Sequence, residues 1–429
     1  MSVRLSVLDN GLRVLTQTMD HVETVSLGAW VGAGARNERP DEHGISHLLE
    51  HMAFKGTQRR SAQDIAEEIE SVGGELNAAT SAESTAYYAR VLRQDVGLAL
   101  DILSDILLHA AFDEAELGRE KGVILQEIAA TEDSPDDVVC DLVQEAAFPG
   151  EPLGRTILGT PTSIMGIGRA QLKAHLEAHY GAPAMVLAAA GAVDHDDFVV
   201  RANTLFDGLS TRAPSPPERA RYRGGVRRAG RDFEQSHFIV AYAGPSYRED
   251  EDYYTAQVLS GLIGGGMSSR LFQEAREKRG LCYAIYAFHW GYSDTGLFGV
   301  HAATGAESIE ELTDVIAGEL RRAAGERAPD VEVARVRAQL KAGLLMSLES
   351  SSARVQRMAR QMLAVGRTLD TEDLIARIDA VTPESIRALA ERIQADSRPS
   401  VASAGGLKDL AAVERLASKF AAPRVAAAE

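Results

Sequence analysis

Near its midpoint the chain runs through Ala213-Pro-Ser-Pro-Pro217, part of a stretch from Thr211 to Gly225 in which proline fixes φ and removes backbone donors. No helix or strand continues through such a segment, so the 429 residues must condense on either side of it. The two halves rhyme. Each opens on an apolar strand pattern, Val25-Ser-Leu-Gly-Ala-Trp30 and Phe238-Ile-Val-Ala-Tyr242, followed by a helix, a Gly-rich stop and another apolar strand. Each closes on a matching strand and turn, Val186-Leu-Ala-Ala-Ala-Gly191-Ala-Val and Val401-Ala-Ser-Ala-Gly405-Gly-Leu. The expectation is an α+β protein of two homologous domains, 1–212 and 226–429, joined by a linker at 213–225. Each domain is expected to be a mixed, mainly antiparallel sheet packed with helices.

Local signals in the first half are clear. Alternating apolar residues around Asp9-Asn10-Gly11 predict a hairpin, and Thr24 to Val31 predicts a strand. A helix is expected from Ile45 to Lys55, stopped by Gly56. Ser61-Ala-Gln-Asp64 is a capping box for a second helix that ends at Gly73-Gly74. Paired strands over Glu75 to Thr80 and Thr85 to Leu92 precede amphipathic helices over Arg93 to Ala110 and Asp113 to Thr131.

Charge and cysteine usage narrow the function. Sixty-two Asp+Glu against 45 Lys+Arg leave a net charge of −17, which argues against a phosphate-backbone partner and suits a basic peptide. The longest uncharged apolar run, Met185 to Val193, is far shorter than the ~20 residues a bilayer span needs, so no membrane partner is expected. Cys140 and Cys282 are far apart and form no CxxC, which excludes a thiolate zinc site and suits a reducing compartment. With no signal-peptide core at the N-terminus, the expected address is the cytoplasm.

The chemistry is concentrated in His47-Leu-Leu-Glu50-His51. On a helix, two His four apart lie about 40° apart, so both imidazoles can meet one ion. Glu50 falls about 60° to the other side of His47, within reach of a water beside that ion. Eleven His in 429 residues make about 0.02 chance matches to this pattern, and Ile45, Leu48, Leu49 and Met52 supply the helix with a buried face. His175-Leu-Glu177-Ala-His179 repeats the His spacing, but its Glu points to the other side, and we read it as a solvated helix face. A hydrolytic zinc centre takes three protein ligands and leaves one position open. Glu120 and Glu127, seven apart on one helix face, are the candidates for the third ligand, and spacing alone does not choose between them.

The segment Gly44-Ile-Ser-His47-Leu-Leu-Glu50-His51-Met-Ala-Phe54-Lys-Gly-Thr57 resembles the inverted-motif zinc peptidases, which include pitrilysin, insulin-degrading enzyme and mitochondrial processing peptidase. The resemblance covers essentially the whole chain and is strongest to the processing peptidases and their bacterial homologues. It implies one Zn²⁺ per chain, held by His47, His51 and Glu127, with Glu50 as general base and Glu120 in support. It also implies that Asn77 and Ala78 form a substrate-binding strand edge and that Phe54 lines the pocket for the residue after the cut. Asp137 and Asp141 would hold an arginine two residues before it. In the second half, Arg276 and Tyr283 match the family's substrate-backbone and oxyanion pair, and Gly264-Gly-Gly266 a loop that touches substrate. At this length the chain corresponds to half of the family's clamshell, which implies a homodimer. The resemblance therefore points to a zinc endopeptidase for short, unfolded, often basic peptides. The competing expectations are a non-catalytic scaffold subunit, which would tend to lose ligands that this chain keeps, and a specialised peptidase that matures one small peptide.

Overall fold

A computed structural model describes residues 3–231, 233–407 and 409–421. The chain packs as two compact units, each drawing on both halves of the sequence. One comprises Met1–Ala129, Thr156–Glu218 and Leu344–Leu369; the other comprises Ala130–Arg155, Arg219–Gly343 and Asp370–Glu429.

The first unit holds a six-stranded sheet of β1 (Arg4–Val7), β2 (Arg13–Thr18), β3 (Thr24–Val31), β4 (Glu75–Thr80), β5 (Thr85–Leu92) and β6 (Met185–Gly191), in the order β1-β2-β6-β3-β5-β4. The second unit holds β7 (Gly225–Arg228), β8 (Ser236–Gly244), β9 (Ala284–Gly291), β10 (Gly296–Thr304) and β11 (Ser400–Ala404), ordered β7-β11-β8-β10-β9. Leaving out β1, the two sheets repeat one another. Each has one parallel pair, β2 with β6 and β7 with β11, and is otherwise antiparallel. The register repeats too: Ser26 pairs with Ala190 just before the Gly191 turn, as His237 pairs with Ala404 just before Gly405.

Helices α1 (Ile45–Ala53), α2 (Ala62–Ser71), α3 (Val96–Leu108) and α4 (Glu114–Asp133) contribute their apolar faces to the core of the first unit. Leu187 and Ala189 of β6 face that core. Val186, Ala188 and Ala190 face the other way, onto Val355, Met358, Ala359 and Met362 of the helix Ser351–Val365. A central strand covered on both faces needs no polar alternation, which explains the unbroken apolar run. In the second unit, α5 (Pro135–Ala147) packs on β7, β8 and β11. Thus a helix from each half of the chain covers the sheet built by the other half. Among the described residues, no helix is long and apolar enough to cross a membrane.

Candidate metal centre

Helix α1 begins at Gly44, whose φ of +91° is left-handed; a Cβ there would fall 2.8 Å from the Leu158 carbonyl oxygen. The exposed amides of the first turn are met by Glu38. Its buried carboxylate accepts from Gly44 N at 2.8 Å and from Ser46 N at 2.9 Å, an arrangement that also complements the helix dipole. Ile45, Leu48, Leu49 and Met52 anchor the inner face in the core. The opposite side carries His47, Glu50 and His51.

Helix α4 brings Glu127 to the two imidazoles. One donor atom from each of His47, His51 and Glu127 lies within 4.8 Å of the others. Glu127 Oε2 is 3.7 Å from His47 Nε2 and 3.6 Å from His51 Nε2. Ligands on a tetrahedron about 2.0–2.1 Å from an ion stand about 3.3–3.4 Å apart, so small side-chain shifts close this set on a metal. Glu127 Oε2 is buried and, among the described residues, has no hydrogen-bond partner. Burial and the neighbouring His51 lower the His47 pKa to about 4, so at neutral pH its contact with Glu127 is not an ion pair. A buried carboxylate oxygen facing a neutral imidazole lacks a cation, and the donor set of two nitrogens and one oxygen fits Zn²⁺.

Glu120, one helical stretch before Glu127, meets His51 from behind. Its Oε2 accepts from His51 Nδ1 at 3.0 Å, and its Oε1 pairs with Lys55 Nζ at 2.8 Å. Burial alone would raise the Glu120 pKa, but the bonds from Lys55 and His51 outweigh it and hold the carboxyl below its usual range. With Nδ1 committed as a donor, His51 presents the lone pair of Nε2 toward Glu127. Among the described residues, His47 Nδ1 has no such partner.

Glu50 receives a hydrogen bond from Thr80 Oγ1 at 2.5 Å. Burial raises its pKa despite this bond, which makes it a better proton acceptor than a solvated carboxylate. Thr80 ends β4, the edge strand. Asn77 and Ala78 lie on that same edge and, among the described residues, are paired on one side only, with Tyr88 and Tyr87 of β5. Behind the strand is a cavity of about 260 Å³, bordered by Ser26, Trp30, Asn77, Tyr88, Ser352 and Gln356. Phe54 is half-buried against the core, its ring 6.3 Å from Tyr87.

The remaining sequence candidates belong to the second unit. Ser134 caps α5, Asp137 is exposed in its first turn, and burial followed by the neighbouring Asp137 raises the Asp141 pKa to about 6. The Arg276 guanidinium lies over the rings of Phe272, at 4.7 Å, and Tyr283, at 5.0 Å; Tyr283 itself is 79% exposed. Gly264 ends a helix against β9, where a Cβ would fall 2.3 Å from Ala287 N. One reading is corrected: His175 is not on a solvated face. It is buried beside α1, its Nε2 3.4 Å from Ser46 Oγ, because its helix uses that side to pack. Sequence reasoning missed Glu38, Lys55 and the role of Thr80. Glu38 alone left a trace, as an acidic residue shortly before a helix start.

Residues 13–161 match the family described as Insulinase (Peptidase family M16), and residues 166–340 match the Peptidase M16 inactive domain. The chain belongs to peptidase family M16. An uncharacterized zinc protease of Streptomyces coelicolor is 39% identical over 417 residues, covering 95% of this chain and 90% of that protein. The probable mitochondrial-processing peptidase subunit beta of Arabidopsis thaliana is 38% identical, covering 95% of this chain and 79% of its own length. In fold, the chain is similar to the crystal structure of a peptidase M16 inactive domain from Pseudomonas fluorescens, with a TM-score of 0.86 at 21% identity, covering 95% of this chain and 99% of that one. The M16 match over the first half contains the His47–His51 motif and Glu127, whereas the second half matches the inactive type and has no H-x-x-E-H.

Proposed function

We propose that this M16 peptidase is a zinc endopeptidase for short, unfolded, often basic peptides. The observation that carries the reading is the convergence of His47, His51 and Glu127 around one point, with Glu50 near enough to feel the charges of His51 and Glu127. Those three residues hold the zinc, which when bound supplies Lewis-acid polarisation and a water acidified to a pKa of about 7. Glu50 takes the proton of the attacking water on its carboxylate and returns it to the leaving amine nitrogen. Its raised pKa and the Thr80 hydroxyl suit a group that must gain and lose a proton within one turnover.

Substrate is held as an added strand. The free edge of β4 at Asn77 and Ala78 offers main-chain donors and acceptors without demanding a side-chain sequence. Phe54 lines the pocket for the residue after the cut. Asp137 and Asp141, one turn apart on α5, bind an arginine two residues before it. Tyr283 donates to the developing oxyanion and Arg276 holds the peptide backbone, both acting across a homodimer. The exposure of Tyr283 and the cation–π contact from Arg276 leave its hydroxyl available.

The test is metal content measured alongside cleavage of quenched peptides that carry or lack arginine before the bond. The parent should bind zinc and cut, with arginine peptides cut faster. Equal rates on matched arginine and alanine peptides would remove the arginine preference. A zinc-loaded but inert parent would remove the peptidase reading.

A further inference from the structure

The geometry points to a second divalent-metal site, in the second unit, formed by Asp136, His237 and His301. It is additional to the one zinc assigned to His47, His51 and Glu127. Strands β8 and β10 are antiparallel, with His301 opposite Ile239 and His237 opposite Ala303. His237 is two residues from Ile239, so both imidazoles leave the same face of the sheet. Helix α5 crosses that face, and Asp136, its second residue, brings a carboxylate to both rings.

One donor atom from each residue lies within 4.8 Å of the others. Asp136 Oδ1 is 3.1 Å from His237 Nδ1 and 3.1 Å from His301 Nε2. The first contact is a hydrogen bond. The second is not aligned as one, so among the described residues neither ring nitrogen of His301 has a hydrogen-bond partner, although the residue is 1% exposed. An idle buried polar group is costly, and a ligand that engages it recovers that loss. Burial keeps the His301 ring neutral, as a metal-binding imidazole must be. The Tyr286 ring, 4.8 Å away, flanks the site. Asp136 is mostly exposed, so an ion can enter and keep water as its remaining ligands.

The fold contains its own comparison. The repeated register makes Ser26 the counterpart of His237 and Tyr88 the counterpart of His301. Asp136, second in its helix after the Ser134 cap, corresponds to Ser352, second after the Ser350 cap. In the first unit these positions need only hydroxyl contacts, Ser26 with Ser351 and Ser352 at 2.9 Å each. Covering the sheet with this helix therefore does not require two histidines and an aspartate. Two imidazoles and one carboxylate favour zinc, cobalt, nickel or copper over magnesium or calcium. An ion there would cross-link the start of α5 to β8 and β10.

The test is metal stoichiometry of the full chain, stripped with chelator and dialysed against free Zn²⁺. The parent should hold two ions per chain. The double variant His47→Gln/His51→Gln should keep one, and Cu²⁺ bound to it should give nitrogen hyperfine coupling from two imidazoles. Adding His301→Gln or, separately, Asp136→Asn should weaken the retained ion at least tenfold. Asp136 is exposed, so its variant remains informative if the buried histidine cannot be changed without unfolding. A double variant with the parent's circular dichroism and no bound ion would overturn the proposal. So would an ion indifferent to both further substitutions.

Discussion

Thr80, the last residue of the edge strand β4, donates a 2.5 Å hydrogen bond to Oε2 of Glu50 on α1. The group assigned to proton transfer is thereby tied to the strand assigned to substrate, and a peptide added to that strand would lie beside the carboxylate without any search. Positioning of this kind is worth as much as basicity, since general acid–base catalysis depends on reach before pKa.

Glu50→Gln keeps the size of the side chain and the acceptor for Thr80, but removes the proton acceptor. Its zinc content and thermal midpoint should match those of the parent, while kcat falls by about 10²–10⁴. Plasma emission for zinc and a peptide-cleavage assay on the same sample check both halves. Parent-level turnover would take the base role away from Glu50.

Glu120 fixes which nitrogen of His51 carries a proton, and Lys55 balances the charge of Glu120. Glu120→Gln should lower zinc affinity by about 10–100-fold, as measured by competition with a fluorescent chelator. Lys55→Met should move affinity in the same direction by less, because Glu120 would then depend on His51 alone. Unchanged affinity in both would assign this pair to packing.

Glu38 supplies the cap for α1 from outside the helix. Glu38→Ala strands two buried amides and should destabilise the first unit by about 2–3 kcal/mol in urea unfolding. The loss should also appear as weaker zinc binding, since His47 is three residues from the capped end. Glu38→Gln, which keeps one acceptor, should recover part of both.

Asp141 gives a pH prediction with a definite sign. Its folded pKa of about 6 lies above the ordinary 3.8, so the folded state holds this proton more tightly than the unfolded chain. Its contribution is therefore most favourable at acid pH and is lost as pH rises between those two values. Asp141→Asn should stabilise the protein by roughly 3 kcal/mol at most near pH 8 and by only about 0.5 kcal/mol near pH 4. Chemical denaturation at the two pH values measures the difference. On the arginine assignment, the same variant should cut arginine peptides more slowly, so stability and preference should move in opposite directions.

Much of this architecture is legible locally. The hairpin at Asn10-Gly11, the capping box at Ser61 and the strands at Glu75–Thr80 and Thr85–Leu92 appear where turn chemistry and alternation place them. His47, Glu50 and His51 share a helix, and helical spacing alone orients them. Glu127 comes from another helix, and spacing gave it and Glu120 equal standing; their separation is tertiary, with one carboxylate in front of His51 and the other behind. Glu38, Lys55 and Thr80 act through single contacts that leave no period in the chain. His175 misleads for the related reason that a polar residue on an amphipathic helix does not announce a neighbour such as Ser46. The Asp136, His237 and His301 cluster joins residues between 64 and 165 positions apart, where no spacing rule operates.

The crossed helices also govern how this protein comes into being. During synthesis the first sheet is complete once β6 has emerged, yet its Trp30 and Val186 face stays bare until the helix Ser351–Val365 follows, more than 150 residues later. Meanwhile α5, made early, must wait for β8 and β11. A chain severed at the proline-rich midpoint would leave each fragment with an uncovered apolar surface and a helix it cannot use. Two such fragments, expressed together, have reason to find one another, and either one alone has reason to aggregate.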